Sequence, residues 1–169
     1  MAEQREGKIA LEKVDGHTCF ACGTANPIGL KMNFYRQGDR ICSDVTLGKH
    51  YVGWENIAHG GIISTMLDEV MSWTVLYFKK SFFVTRKMDI KYVKPVPIRR
   101  PLVVSAFISG NSQTAGTQKI RAQGRIVDSD GHLLARSSGE FVLLPKEKLQ
   151  DVPEAVKQEM LALFGRLEG

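Results

Sequence analysis

Long apolar runs are missing from this 169-residue chain. No stretch reaches the roughly 18 consecutive apolar residues a membrane-crossing helix needs, and Met1 to Asp15 alternates charges with a few aliphatics where a signal peptide would be apolar. Cysteine is scarce. Cys19, Cys22 and Cys42 form an odd, sparse set, which argues against a disulfide framework and for a reducing cytoplasm. Internal repeats and low-complexity segments are absent, which excludes solenoids and fibrous arrays. Acidic residues are outnumbered, 18 against 23 Lys and Arg, giving a net charge of +5. That surplus favours an anionic ligand, but no aromatic–basic motif or reading helix accompanies it, so nucleic acid is not expected as a partner. What remains is a chain 43% hydrophobic and 24% charged, suited to one soluble globular domain with a substantial core.

Residues 1–16 read as a flexible or loosely docked lead-in, with a short helix around Ile9 to Val14 as one option. The run His17 to Gly29 is rich in Gly, Pro, Asn and Thr and reads as a loop. Leu30 to Arg36 and Ile41 to Leu47 are expected to form a hairpin across residues 37–40. Further strands are expected over Phe82 to Val93, Leu102 to Ser109, Thr117 to Val127 and His132 to Leu144, with an Asp-Gly turn joining the last two. Pro145 to Leu167 has the spacing of an amphipathic helix. One long helix among mainly antiparallel strands, closed by a second helix, argues for an α+β fold whose sheet curves around the first helix.

That helix is expected over His59 to Phe78, with Ile62, Ile63, Met66, Leu67, Val70, Thr74 and Phe78 as its apolar stripe. At roughly 100° per residue, Asp68 falls off the centre of the stripe, among Gly61, Ser64 and Ser72. His59-Gly60-Gly61 opens the helix, where backbone N–H groups lack partners and the dipole leaves partial positive charge. Glycine lets a ligand oxygen approach those groups. One element therefore offers an oxyanion-binding end and, further along, a carboxylate. Each residue also has a plainer reading. Asp68 suits a partly buried acid paired with a lysine or a helix surface group, His59 an ordinary helix-start residue, Gly60-Gly61 a tight turn, and Thr85 a structural strand residue. Glu69 reads as a solvent or interface charge.

These features together resemble the hotdog-fold acyl-CoA thioesterases of the phenylacetate-degradation and 4-hydroxybenzoyl-CoA type. The resemblance rests on HGGIISTMLDEVMSW (His59 to Trp73), Thr85 with RKMDIKYVKPVP (Arg86 to Pro97), CFACGTANPIGLKMNF (Cys19 to Phe34) and ARSSGEFVLL (Ala135 to Leu144). It covers residues 17–144, leaving 145–169 as a C-terminal helix packed on the domain. It implies a curved antiparallel sheet of five or six strands around the central helix, and a homodimer, or a pair of dimers, with active sites at the seam. It implies hydrolysis of an acyl-CoA thioester. The Gly60 N–H would polarise the carbonyl, Asp68 from the partner subunit would act as general base or nucleophile, Thr85 would orient the water or the carboxylate, and His59 would hold the thioester end or shape the loop. Many relatives carry an asparagine six residues before the histidine; here that position is Gly53, and Asn56 lies three before His59.

For coenzyme A, which is part of the substrate so that no separate cofactor is expected, the candidate contacts are Gly61, Asn56, Arg99, Arg100, Ser137 and Ser138, with Lys91, Lys94 and Arg136 as further basic groups. Trp54, Met71, Trp73, Val75, Phe82 and Phe83 are available to an acyl group, and equally to an ordinary core. Cys19-Phe20-Ala21-Cys22 with His17 invites a zinc reading, but a fourth ligand would have to come from the distant Cys42, His50, His59 or His132, so the expectation is a packed loop without metal. The rival functions are a non-catalytic acyl-CoA sensor on the same fold and a hotdog hydratase. The hydratase would need a histidine soon after the aspartate, and none follows Asp68 before His132.

Overall fold

The computed structural model describes residues 7–114 and 116–167. In chain order the strands are β1 (Ile9–Ala10), β2 (Tyr35–Gln37), β3 (Arg40–Thr46), β4 (Val52–Trp54) and β5 (Ile57–Ala58). Helix α1 (Gly60–Lys79) follows, then β6 (Phe83–Tyr92), β7 (Pro101–Thr114), β8 (Thr117–Asp128), β9 (Leu133–Leu143) and helix α2 (Glu154–Arg166). Seven strands form one antiparallel sheet in the order β1-β2-β3-β7-β8-β9-β6, and β4 pairs with β5 separately. Five of the seven are long; β2 and β1, three and two residues, extend one edge.

The helix lies against this sheet because its apolar face is continuous. Met66, Leu67, Val70, Met71 and Val75 are fully buried, meeting Ile41, Val104, Ala106, Ile120, Ala122 and Phe141 of the strands in one core. Each such side chain contributes about 1.5–3 kcal/mol of burial. Phe78, expected on the stripe, is instead 37% exposed, while Trp73 is buried and stacks on Phe34 at 4.6 Å. No helix among the described residues is long and apolar enough to cross a membrane.

Two expectations need correction. The lead-in does not form a helix at Ile9 to Val14: Ile9 and Ala10 pair with Arg36 and Tyr35 as an edge strand, because β2 leaves an open ladder there. Nor is its second half loose. The Lys13 ammonium donates to the Cys22 and Met32 carbonyls, both at 2.9 Å; residues 1–6 lie outside the described residues. The C-terminal helix is also divided. A 3-10 turn over Lys146–Asp151 precedes α2, and Pro153, which lacks an N–H, sits where the new helix begins. Leu163, Phe164 and Leu167 dock α2 on the domain, while Val156 is exposed.

Candidate active site

A β-bulge in β6 decides which of its residues face α1. Thr85 pairs with Phe141 and Lys87 with Glu140, so Arg86 is an extra residue in the ladder. With strict alternation Phe83 and Thr85 would be followed inward by Lys87, Asp89 and Lys91. The bulge shifts the phase by one, so Met88 and Ile90 pack on the core and Tyr92 reaches the helix start. Thr85, the last residue before the shift, donates its hydroxyl to Asp68 Oδ1 at 3.1 Å.

Asp68 is half-buried in the middle of α1. Burial pushes its carboxyl above the ordinary range, and the Thr85 hydrogen bond pulls the other way. No cationic side chain among the described residues forms an ion pair with it. The lysine-paired reading of this acid therefore has no support within the subunit.

At the start of α1, His59 is the N-cap, extended at φ −61° and ψ 138°. Its Nδ1 accepts the Gly61 N–H at 2.9 Å, and its carbonyl accepts from Ile62 and Ile63. The His59 ring is thus committed to the helix, and the Gly61 amide to the ring. Gly61 supplies clearance, since a Cβ there would sit 3.1 Å from His59 Nδ1. The Gly60 N–H has no such internal acceptor among the described residues and is the helix-start donor left over. Its peptide is fixed from the other side: Ser64 Oγ donates to the Gly60 carbonyl at 2.9 Å, and the Tyr92 hydroxyl lies 3.2 Å from that carbonyl and 2.9 Å from Ser64. Tyr92 was not singled out from the sequence, since the bulge that aims it leaves no compositional mark. Gly53, where relatives carry asparagine, backs onto the cap; a Cβ there would fall 2.8 Å from His59 Cα.

The other candidates are dispersed. Asn56 is exposed in the β4–β5 turn, with its carbonyl accepting from Ile98, which brings the exposed Arg99 and Arg100 to the same end of the molecule as β5 and Gly60. Ser137 and Ser138 point to opposite faces of β9. Ser137 is 7% exposed with Oγ 3.5 Å from Met71 Sδ, while Ser138 is exposed; both border an outer hollow with Lys91 and Arg136. Of the acyl-pocket candidates Met71 and Val75 are fully buried in the core, Trp54 is 77% exposed, and Trp73 and Phe83 line a cavity of about 200 Å³. Glu69, expected as a solvent or interface charge, borders that cavity. It accepts from Trp73 Nε1 at 3.1 Å, and burial pushes its carboxyl up to about 7.

The family model described as the thioesterase superfamily matches residues 55–135. An uncharacterized protein of Schizosaccharomyces pombe is 31% identical over 103 residues, 58% of this chain and 57% of that protein, so the match spans a little over half of the relative's length. Among solved structures, a thioesterase superfamily protein aligns with a TM-score of 0.62 at 24% identity, over 70% of this chain and 56% of its own. Zebra fish thioesterase superfamily member 2 aligns at 0.61 and 15% identity, over 72% and 87% of the two chains. A hypothetical thioesterase of Streptococcus pneumoniae with coenzyme A aligns at 0.55 and 16%, over 62% and 81%. Such identities speak to the fold, and the fold they share is the hotdog.

Proposed function

From a domain that belongs to the thioesterase superfamily through residues 55–135, we propose that this chain hydrolyses acyl-CoA thioesters. The observation that carries the reading is Asp68: a half-buried carboxylate with no ion-pair partner among the described residues, held by one hydroxyl at 3.1 Å. An acid kept this way costs stability and has a reason to exist in chemistry. Two lines from relatives support it. The S. pneumoniae protein has been crystallised with coenzyme A, and an aspartate and a threonine of that protein are each replaced by alanine in solved mutants.

Gly60 and Asp68 are eight positions apart on one helix, about 12 Å along its axis at 1.5 Å per residue. One thioester cannot touch both within a subunit, so the site is shared between two. The Gly60 N–H of one subunit takes the carbonyl oxygen, backed by the helix dipole, and Asp68 of the other faces the carbonyl carbon. Asp68 removes a proton from water, the water oxygen bonds to the carbon, and the tetrahedral oxyanion collapses as the C–S bond breaks. The sulfur leaves with the electron pair and receives the proton. In the alternative route the carboxylate itself attacks and water opens the resulting anhydride. Single turnover in ¹⁸O water reports on the second route, because label enters Asp68 only when water opens the anhydride at the aspartyl carbonyl. Self-association is supported by β6, a ten-residue edge strand with Val84 and Tyr92 exposed along it.

Release of free thiol from short, medium, long and aromatic acyl-CoAs is the direct test. Turnover on at least one class is expected. Binding without release across the panel would make the protein an acyl-CoA sensor instead.

A further inference from the structure

We propose that His17, Cys19, Cys22 and Glu69 bind one zinc ion, which staples the N-terminal loop to α1 beside Asp68. The ligand atoms of His17, Cys19 and Cys22 all lie within 4.8 Å of one another. The fourth group is a carboxylate rather than a histidine or third cysteine: Glu69 Oε1 lies 4.0 Å from Cys19 Sγ, outside the three-residue cluster, and would close on the metal as it binds. Two thiolates, an imidazole and a carboxylate suit tetrahedral zinc and fit magnesium or calcium poorly.

The cluster is built rather than incidental. Gly23 N donates to the Cys19 carbonyl at 2.9 Å and closes the cysteine turn, and Ala25 N donates to the His17 carbonyl at 3.0 Å. Only glycine fits at position 23, since a Cβ would fall 2.4–2.6 Å from the His17 carbonyl and the Cys19 backbone. The outer partners that orient metal ligands are also in place. Trp73 Nε1 donates to the Glu69 carboxylate, and His17 Nε2 faces Glu159 of α2 at 3.5 Å, leaving Nδ1 for the metal once it releases its 3.3 Å bond from Cys19 N. The nearby cation, Lys13, is committed to the Cys22 and Met32 carbonyls. A divalent ion would add to the positive charge that Lys13 already brings near these ligands. With four protein ligands the site is closed, and its role is structural: it joins the loop, α1 and α2 around the carboxylate's neighbour.

The test uses the full chain, purified under reducing conditions without chelator, with elemental analysis for zinc and a cobalt(II) titration as a second readout. One zinc per chain is expected, together with thiolate-to-cobalt absorption. Both should be lost in Cys22→Ser and kept in Cys42→Ser, whose sulfur sits apart in β3. Glu69→Gln should keep the fold and weaken zinc binding at least tenfold. A chain that takes up neither zinc nor cobalt would overturn the proposal, as would equal loss in Cys42→Ser or a Cys19–Cys22 disulfide persisting in the reduced protein. None of these readouts depends on thioester hydrolysis.

Discussion

Asp68 and Gly60 sit on one helix in opposite surroundings. Around Asp68 the subunit is finished: β6 covers it, Thr85 holds it, and burial raises its carboxyl. Around Gly60 it is open: Tyr92 beside it is 52% exposed, and on the β4–β5 hairpin that precedes the helix Trp54 is 77%, Val52 39% and Ile57 37% exposed, with the Gly60 amide lacking an acceptor among the described residues. The difference shows how labour is divided. The chain tunes its acid by itself, whereas under the proposed reading its oxyanion donor waits for a surface that a second copy would supply. Breaking each end separately tests whether they belong to one reaction.

The largest effect is expected from Asp68→Asn. Loss of a general base costs roughly 10²–10⁴ in rate, read by free-thiol assay. Stability should move the opposite way. Because the folded carboxyl titrates above its unfolded value, holding it ionised costs stability at neutral pH, and that cost fades as pH falls through the folded value. Asparagine carries no charge, so the melting midpoint should rise at pH 7 and the gain should shrink under acid conditions. A fall in midpoint with activity retained would return Asp68 to a structural role.

Next comes Gly60→Pro, which deletes the N–H without breaking the helix. Gly60 is the first helical position, where proline is tolerated, and His59 already has the extended backbone that proline demands of its predecessor. A Cβ at Gly60 would meet Tyr92 at 3.6 Å, an ordinary contact. Losing one oxyanion donor costs roughly 10²–10³ in kcat, with the circular dichroism spectrum unchanged. Mixing this variant with Asp68→Asn sharpens the comparison. If the site spans two subunits, unlike pairs carry one intact site, and random mixing restores about a quarter of the wild-type rate. No recovery on subunit exchange would place both groups in one subunit's reaction or remove one of them from it.

The open end was the more legible from sequence. Helix starts are local, and a histidine with two glycines before an apolar-periodic run marks both the cap and the donor within a few residues. The order of long strands and the Asp-Gly turn were legible for the same reason: Asp128 Oδ1 caps the turn by accepting from Asp130 and His132. What escaped depends on distant pairing. The bulge at Arg86 decides that Thr85 and Tyr92 face the helix while Lys87 and Lys91 do not, and only the β9 partner register reveals it. Glu69 escaped likewise, because the loop that buries it lies fifty residues earlier at Cys19. Ser137 and Ser138 show the limit of a local motif: alternation along β9 sends them to opposite faces.

A smaller effect is expected from Thr85→Ala. One hydrogen bond to a charged group is worth about 1.5–3 kcal/mol, so the rate should fall roughly ten- to a hundredfold. The pH profile separates a role in tuning Asp68 from mere packing. The Thr85 hydroxyl lowers the Asp68 pKa, so its removal should move the acid limb of kcat/KM to higher pH, and serine should restore it. An unmoved limb would mean that Thr85 positions water or nothing at all.

The smallest effect belongs to His59. Its ring accepts the Gly61 N–H at 2.9 Å, so alanine there should cost about 1 kcal/mol of stability, the usual worth of an N-cap, while asparagine should cost little. The two variants also ask how the open end stays specific. With the ring gone, the Gly61 amide is released beside Gly60, and a second donor becomes available to an oxyanion. If His59→Ala loses stability yet keeps or gains kcat relative to His59→Asn, the histidine works as a cap that leaves a single amide for the substrate. If kcat collapses in both variants while the melting midpoint barely moves, the ring touches the ligand, and the start of α1 is a binding site in its own right rather than a capped terminus.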